Sequence, residues 1–387
     1  MIKNFKIGLL SKVIAAIVIG LLFSLFTPIP IVRLFVTFND IFGNFLGFLI
    51  PLIIFGLVTP GISELGKGAG KILVITTLIA YTSTVLSGYF SYITTNQALP
   101  YLINKSQTLL SDSLNGNIIK SFFTIEMAPL MSVTSALVFS FVVGIALSSI
   151  NSNSLKSGLI EFRELITLVI NKAIIPILPF YIFGIFLKIG AEGQASIVLG
   201  LFFKVIIVIF IMHVLLLLFQ YSVAALVSGK NPFKALLTMM PAYMTALGTQ
   251  SSAATIPVTL NQTKKNGVDP DLADFVIPLC ATIHLAGSML KIVSCAVAVM
   301  YLTNMPIDSF TIIGFIFMLA ITMVAAPGVP GGAIMASIGV LQSILGFDPN
   351  MIALMVALYI TMDSFGTACN VTGDGAIAII VNKINKK

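Results

Sequence analysis

Apolar positions along this chain fall in long runs, at about residues 8–28, 31–58, 71–95, 125–150, 164–191 and 195–228. A helix needs about 20 residues to cross the hydrocarbon of a bilayer, and each run is long enough. Between the third and fourth lies a polar stretch, Asn96 to Lys120, rich in Asn and Ser, which predicts an external loop. After residue 230 the pattern changes. Residues 235–262 are only moderately apolar and are interrupted between Gly248 and Pro257, and residues 309–346 are interrupted between Ala326 and Gly332. Glycine and proline end helices or free the backbone, and each half is too short to span. Irregular backbone at membrane depth is tolerated only inside protein or beside a water-filled cavity, so both predict re-entrant hairpins. A full segment follows each, 272–302 and 350–382. Hairpin then helix, twice, with the first entering from the cytoplasm and the second from outside, is an inverted repeat. Broken segments in corresponding positions point to a binding site near the midplane. The expected fold is an all-α membrane protein of eight transmembrane helices plus two re-entrant helical hairpins.

Composition agrees with the pattern. The chain is 58% hydrophobic and 9% charged, against about one-quarter charged in soluble domains, which excludes a water-soluble fold. The net charge of +7 does not point to nucleic acid, because the basic residues are scattered over segment ends. Lys3 and Lys6, Lys67 and Lys71, Lys156, Arg163 and Lys172, Lys230 and Lys234, Lys264 and Lys265, and Lys383, Lys386 and Lys387 mark the cytoplasmic side by the positive-inside rule. Both termini are then cytoplasmic and the chain is multi-pass in the cell membrane. The first run lacks a small-residue cleavage site and reads as a span rather than a signal peptide. Cys280, Cys295 and Cys369 lie in apolar segments with no spacing typical of metal sites or disulfides. No nucleophile–base pair has catalytic spacing, so an enzyme is the weakest reading.

The chemistry concentrates in the last segment. Asp363, Thr367, Asn370 and Asp374 follow at spacings of four, three and four, which stack them on one helix face. An ionised carboxylate at the membrane centre costs about 2.5–3.5 kcal/mol on insertion scales. Such residues usually face a water-filled cavity and bind cations, so the stripe points to transport. Asp363 and Asp374 stand about 16 Å apart by helical rise, so one can meet an ammonium and the other a metal cation. Na⁺ prefers oxygen ligands, which favours Asn370, Asp374 and nearby carbonyls. The first hairpin tip offers Ser251, Ser252 and Thr255 beside freed amides, suited to a carboxylate, or else small residues for close packing of the arms. The second, Pro327 to Gly332, offers backbone and a hinge. Gly287 among polar residues in mid-membrane suggests local unwinding. His284 is a proton-coupling group or a hydrogen-bonded structural residue, Lys291 snorkels or acts as a fixed cation, and His213 reads as structural.

Four motifs, Gln250 to Thr259, Gly328 to Gly331, Asp348 to Asn350 and Asn370 to Asp374, resemble the dicarboxylate/amino acid:cation symporter family, which includes the glutamate transporters. The resemblance is close from about 245 to 382 and covers the rest as topology. It implies a glutamate-transporter-like elevator fold and a homotrimer in the lipid bilayer. Residues 1–230 would be mainly scaffold and trimerisation helices, the third and sixth segments joining a transport domain centred on 231–387. Ser252 and Asn370, with Ser251 and Ser288 beside them, would contact the substrate carboxylate, and Asp363 its amino group. Val329, Pro330 and Gly331 of the second tip, with Gly366 and Thr367, would complete the pocket. Asn370 and Asp374, with the backbone near Thr282 and His284, would hold one sodium ion, and backbone of the second tip would help form another site. Two departures matter. Where acidic-substrate members carry an arginine before Thr367, this chain has Gly366, so a second carboxylate has no bidentate partner. The acidic ligand of a further sodium site is Ala286, and its partner positions are Thr76, Ile79 and Ala80, so that site is expected to be lost. The resulting expectation is an importer of a neutral amino acid, driven by Na⁺ with H⁺ in addition or instead. A symporter for another small solute, or an uncoupled channel or sensor, is the alternative.

Overall fold

The computed structural model describes residues 8–65, 71–102, 119–149, 153–324, 326 and 330–385, and every regular element among them is helical. The early apolar runs become α1 (Leu9–Ser24), α2 (Ile29–Leu65), α3 (Lys71–Leu102), α4 (Val133–Ser149), α5 (Asn153–Val169), α6 (Ile175–Ala191) and α7 (Ala195–Ser228). A π-helical turn, Ile170–Ile174, joins α5 to α6 into one rod. In a bilayer the backbone must satisfy itself, so helices are extended wherever possible. Accordingly α2 and α3 run past their expected ends, with Pro51, Pro60 and Pro100 carried inside. The fourth run is shorter than expected, starting at Val133 rather than near 125. The Arg33 side chain donates to the carbonyls of Lys120 and Ser121, and the Asn44 amide donates to that of Ile125. These bonds tie the segment to α2 in place of a helix of its own. Ser132 then caps α4, its hydroxyl accepting from the Ser135 amide.

The remaining elements are α8 (Pro232–Thr238), α9 (Met240–Thr249), α10 (Ser252–Lys265), α11 (Pro270–Ile283), α12 (Ala286–Leu302), α13 (Ser309–Val324), α14 (Gly332–Leu345), α15 (Pro349–Thr361) and α16 (Asp363–Asn385). Helices α9 and α10 pack as one hairpin and α13 and α14 as another. The first turn is tighter than the sequence suggests. Only Gln250 and Ser251 are non-helical there, and Pro257 is absorbed into α10. Each hairpin is followed by a helix pair that starts in the same way. Asp269 and Asp348 cap α11 and α15 ahead of Pro270 and Pro349, their carboxylates accepting amide bonds from Leu272 and Met351. A proline at the first helical position has no N–H to leave orphaned, so Asp-Pro starts a helix cleanly at both places. The element order therefore repeats: hairpin, Asp-Pro helix, joint, second helix.

Among the described residues, six helical spans are long and apolar enough to cross a membrane by length and composition, while α1 and α4, with 16 and 17 residues, are shorter. Large apolar side chains such as Leu22, Phe139, Leu168, Phe203 and Leu226 stand exposed on the outer helices, as a lipid-facing surface requires. The chain is a multi-pass membrane protein. Two rods are different: nearly all of the most apolar stretch within α11–α12 and within α16 is buried, against about a third to a half of it in the others. These two form the centre, where polar residues can be sheltered from lipid.

Helices α1, α2, α4, α5 and α6 pack mainly on one another, whereas α3, α7 and the first hairpin gather around α12 and α16. A ladder of hydroxyls fixes α3 to α12. Ser87 donates to the Ala286 carbonyl and Ser91 to that of Leu290, while Ser91 and Thr95 both meet the Ser294 hydroxyl. Spaced by four, these side chains share one helix face, and small polar residues let membrane helices approach closely.

Candidate functional site

Helix α12 begins at a true break. His284 and Leu285 are non-helical, so the first amides of α12 lack intrahelical partners. Asn370 of α16 supplies the acceptor: its Oδ1 accepts from the amides of Gly287 at 2.8 Å and Ser288 at 3.2 Å. Its Nδ2 donates to the Ser288 hydroxyl at 3.0 Å, and Tyr359 donates to the same oxygen at 3.3 Å. The unwinding lies three residues before the glycine that suggested it. Gly287 serves instead for close approach, since a Cβ there would lie 2.7 Å from the Gly366 carbonyl and from the Cys369 Cβ. His213, alone in its apolar run, hydrogen-bonds the Gly287 carbonyl at 3.1 Å.

The stripe on α16 is continuous and sealed. Asp363, Thr367, Asn370 and Asp374 are between 1% and 6% exposed. Each carboxylate meets a base from α12 or the break that precedes it. Lys291 Nζ lies 3.0 Å from Asp363 Oδ1 and 3.3 Å from the centre of the Tyr359 ring, and it is wholly buried. The other oxygen, Oδ2, accepts the Gly331 amide at 2.8 Å. Gly331 has φ +74°, a left-handed conformation that glycine adopts freely, and it stands at the head of α14. Asp363 thus joins α12 to the tip of the second hairpin. The missing side chain at Gly366 is what admits the lysine, because a Cβ there would sit 2.9 Å from Nζ.

Asp374 pairs with His284, Oδ1 to Nδ1 at 2.9 Å. On its far side His284 Nε2 lies 3.1 Å from the Ser83 hydroxyl and 3.3 Å from Gln220 Nε2, which also donates to Ser83. A carboxylate oxygen accepts, so the hydrogen between the two lies on Nδ1 and points to Asp374. Ser83 and Gln220 border a cavity of about 750 Å³ between α3, α7 and α16, lined mostly by apolar side chains such as Leu78, Phe219 and Ile377.

The first hairpin reaches the same place. Gln250, with φ +53° at a non-glycine position, donates to the Ser364 hydroxyl at 2.9 Å. Ser251 caps α10 by accepting the Ala254 amide, and its carbonyl accepts the Thr255 hydroxyl. Ser252 is 4% exposed at the start of α10. Both tips therefore converge on the first turn of α16, with Ser288, Pro330, Gly331, Gly366, Thr367 and Asn370 around it. Val329 lies outside the described residues.

Of the residues expected around a sodium ion, Asn370 and Asp374 lie on the buried face of α16 beside the break at His284. The Thr282 side chain faces outward and donates to the Leu279 carbonyl. Asn370 Oδ1 is committed to the α12 amides. His284 presents nitrogen to the carboxylate that an oxygen shell would need. Asp374 Oδ2 is buried without a partner, as is Gln220 Oε1. Ala286 is buried and its carbonyl accepts from Ser87. Sequence reasoning missed Tyr359, Ser83 and Gln220. Gln220 carried a signal, a lone amide in an apolar run, whereas the hydroxyls of α3 and Tyr359 look ordinary in a membrane helix.

The family model that matches this chain, over residues 9–384, is that of the sodium:dicarboxylate symporter family. The chain belongs to this family, which is one of transporters and not of enzymes. It is 26% identical to an excitatory amino acid transporter of Caenorhabditis elegans, over 73% of this chain and 57% of that protein. It is 28% identical to excitatory amino acid transporter 2 of Homo sapiens, over 66% of this chain and 45% of that protein. The chain thus spans about half the length of these relatives. It is also 26% identical to the serine/threonine transporter SstT of Acinetobacter baumannii (strain AYE), over 95% of each.

Proposed function

We propose that this member of the sodium:dicarboxylate symporter family is a cation-coupled symporter for a small solute with one carboxylate and an uncharged side chain, of the size of a neutral amino acid. The observation that carries this reading is the turn at Gly366. No side chain projects there to receive a second carboxylate, and the ammonium beside it is matched by Asp363. An acidic side chain would enter a buried pocket with no uncompensated positive charge, which is strongly unfavourable. The serine/threonine transporters among the relatives support a neutral substrate. The solute carboxylate is assigned to the head of α10, where Ser251, Ser252 and the helix amides suit an anion, together with Ser288, Thr367 and Asn370.

Carriage is proposed to follow an elevator scheme in a homotrimer. The helices packed around α12 and α16 would move as one body against α1, α2 and α4 to α6. Coupling to a cation gradient comes with the family, and the driving ion is Na⁺, with H⁺ in addition or instead. Reconstituted uptake tests both parts. Neutral amino acids or their close analogues should accumulate under an imposed Na⁺ or H⁺ gradient, applied separately. Flux that does not saturate, or that ignores both gradients, would overturn the symporter reading.

A further inference from the structure

We infer that Lys291 supplies the ammonium that an amino acid would otherwise bring, so that the site prefers carboxylates lacking an α-amine over amino acids of the same skeleton. This rests on the proposed binding of a solute carboxylate between the two hairpin tips, and narrows the class to short 2-hydroxy, 2-oxo and simple monocarboxylic acids.

The argument starts from Asp363, a buried carboxylate beside both tips. Its two oxygens are engaged, one by Lys291 at 3.0 Å and one by the Gly331 amide at 2.8 Å. An incoming ammonium has two ways in. It can displace Lys291, but the other carboxylate of the stripe, Asp374, stands about 16 Å away by helical rise and offers the lysine no replacement. Stripping a buried ion of its partner is strongly unfavourable. Alternatively it can sit beside Lys291, placing two cations on one carboxylate in a low-dielectric interior where repulsion is strong. A solute without an amine meets neither obstacle. An ammonium has three N–H groups. Asp363 takes one and the Tyr359 ring faces another, so the ammonium is matched where it stands and the solute carboxylate falls to the head of α10 with Ser288, Thr367 and Asn370.

The surroundings are shaped to keep the lysine there. A Cβ on Gly366 would lie 2.9 Å from Nζ and 3.2 Å from Cε, so even alanine would push the chain away. Tyr359 is held by its own bond to Ser288, which fixes the ring beneath the cation. The lysine, the glycine and the tyrosine come from α12, α16 and α15 and form one fitted unit.

Matched pairs test the inference on the full chain in nanodiscs: L-alanine against L-lactate and pyruvate, and L-serine against glycerate, each as a competitor in equilibrium binding and in uptake. The amine-free member of each pair should bind about tenfold tighter or more. Lys291→Met, which frees Asp363, should reverse the order in favour of the amino acid. Tighter binding of alanine and serine by the unaltered protein would overturn the inference while leaving the symporter reading intact. Binding of neither series would overturn the proposed carboxylate site itself. The unaltered protein alone distinguishes these outcomes, even if Lys291→Met fails to fold. Where the variant folds, an unchanged order of preference would also overturn the inference.

Discussion

Replacing His284 by asparagine probes how far the histidine stands in the place of a bound cation. The imidazole is wholly buried and donates to Asp374 Oδ1 at 2.9 Å, while Oδ2 has no partner. Asparagine is shorter and offers a carbonyl oxygen where an N–H had pointed. Without added cation the variant therefore keeps a buried carboxylate stripped of its partner, a loss of about 3–5 kcal/mol for pairs of this kind. The same change turns a nitrogen neighbour into an oxygen one, the ligand type a hard cation takes. A cation that binds the folded variant at 100 times its dissociation constant returns about 2.7 kcal/mol, which is half of the loss or more. Thermal unfolding of detergent-solubilised protein, in sodium chloride and in choline chloride at equal ionic strength, measures this directly. The gap between variant and unaltered protein should be large in choline and should shrink by about half or more in sodium. A gap of the same size in both salts would refute the reasoning, since His284 would then be a structural partner of Asp374 and nothing more.

Three further changes test the second pair and its setting. Asp363→Asn should abolish uptake and lower stability by about 3–5 kcal/mol, and adding Lys291→Met should recover part of the stability but not the uptake. A double-mutant cycle on unfolding would show whether the two residues are coupled. Gly366→Ala should cost about 1–3 kcal/mol through overpacking against Lys291, and combining it with Lys291→Ala should relieve that penalty; equal penalties in both backgrounds would show that the close contact is elsewhere. Ser91→Ala removes bonds to Leu290 and Ser294, yet interhelical hydrogen bonds in membranes average about 0.6 kcal/mol, so its unfolding temperature should scarcely move.

Much of this is legible in the sequence for a simple reason: a membrane leaves few ways to satisfy a backbone. The apolar runs, the two interrupted segments and the stripe from Asp363 to Asp374 all follow from that constraint. What sequence does not supply is pairing across helices. Lys291 and His284 are seven residues apart and look like two separate puzzles, one a snorkelling chain and the other a proton carrier. Only the crossing of α12 over α16 turns each into the partner of a particular carboxylate. The glycines carry part of this information in negative form. Gly366 reads as a missing arginine, and the empty space it leaves is filled by a lysine from another helix. The segment before Val133 departs from its expected helix because its backbone is held by Arg33 and Asn44, side chains about 80–90 residues away in sequence, which a local hydrophobic period does not reveal.

The two pairs also limit which parts of the molecule can move. Separating α12 from α16 would unpair two buried carboxylates at once and strip Asn370 from the head of α12. Each rupture is costly in a low-dielectric interior, and α3 is tied to α12 through its hydroxyl ladder. The tips are held differently. The second hairpin is joined to Asp363 by an amide bond from Gly331, and the first to Ser364 by the Gln250 side chain. Breaking one such hydrogen bond costs about 0.5–1.5 kcal/mol net, or about 1.5–3 kcal/mol where the acceptor is charged. The second tip is thus the more firmly latched of the two, and its latch is the same carboxylate that Lys291 neutralises.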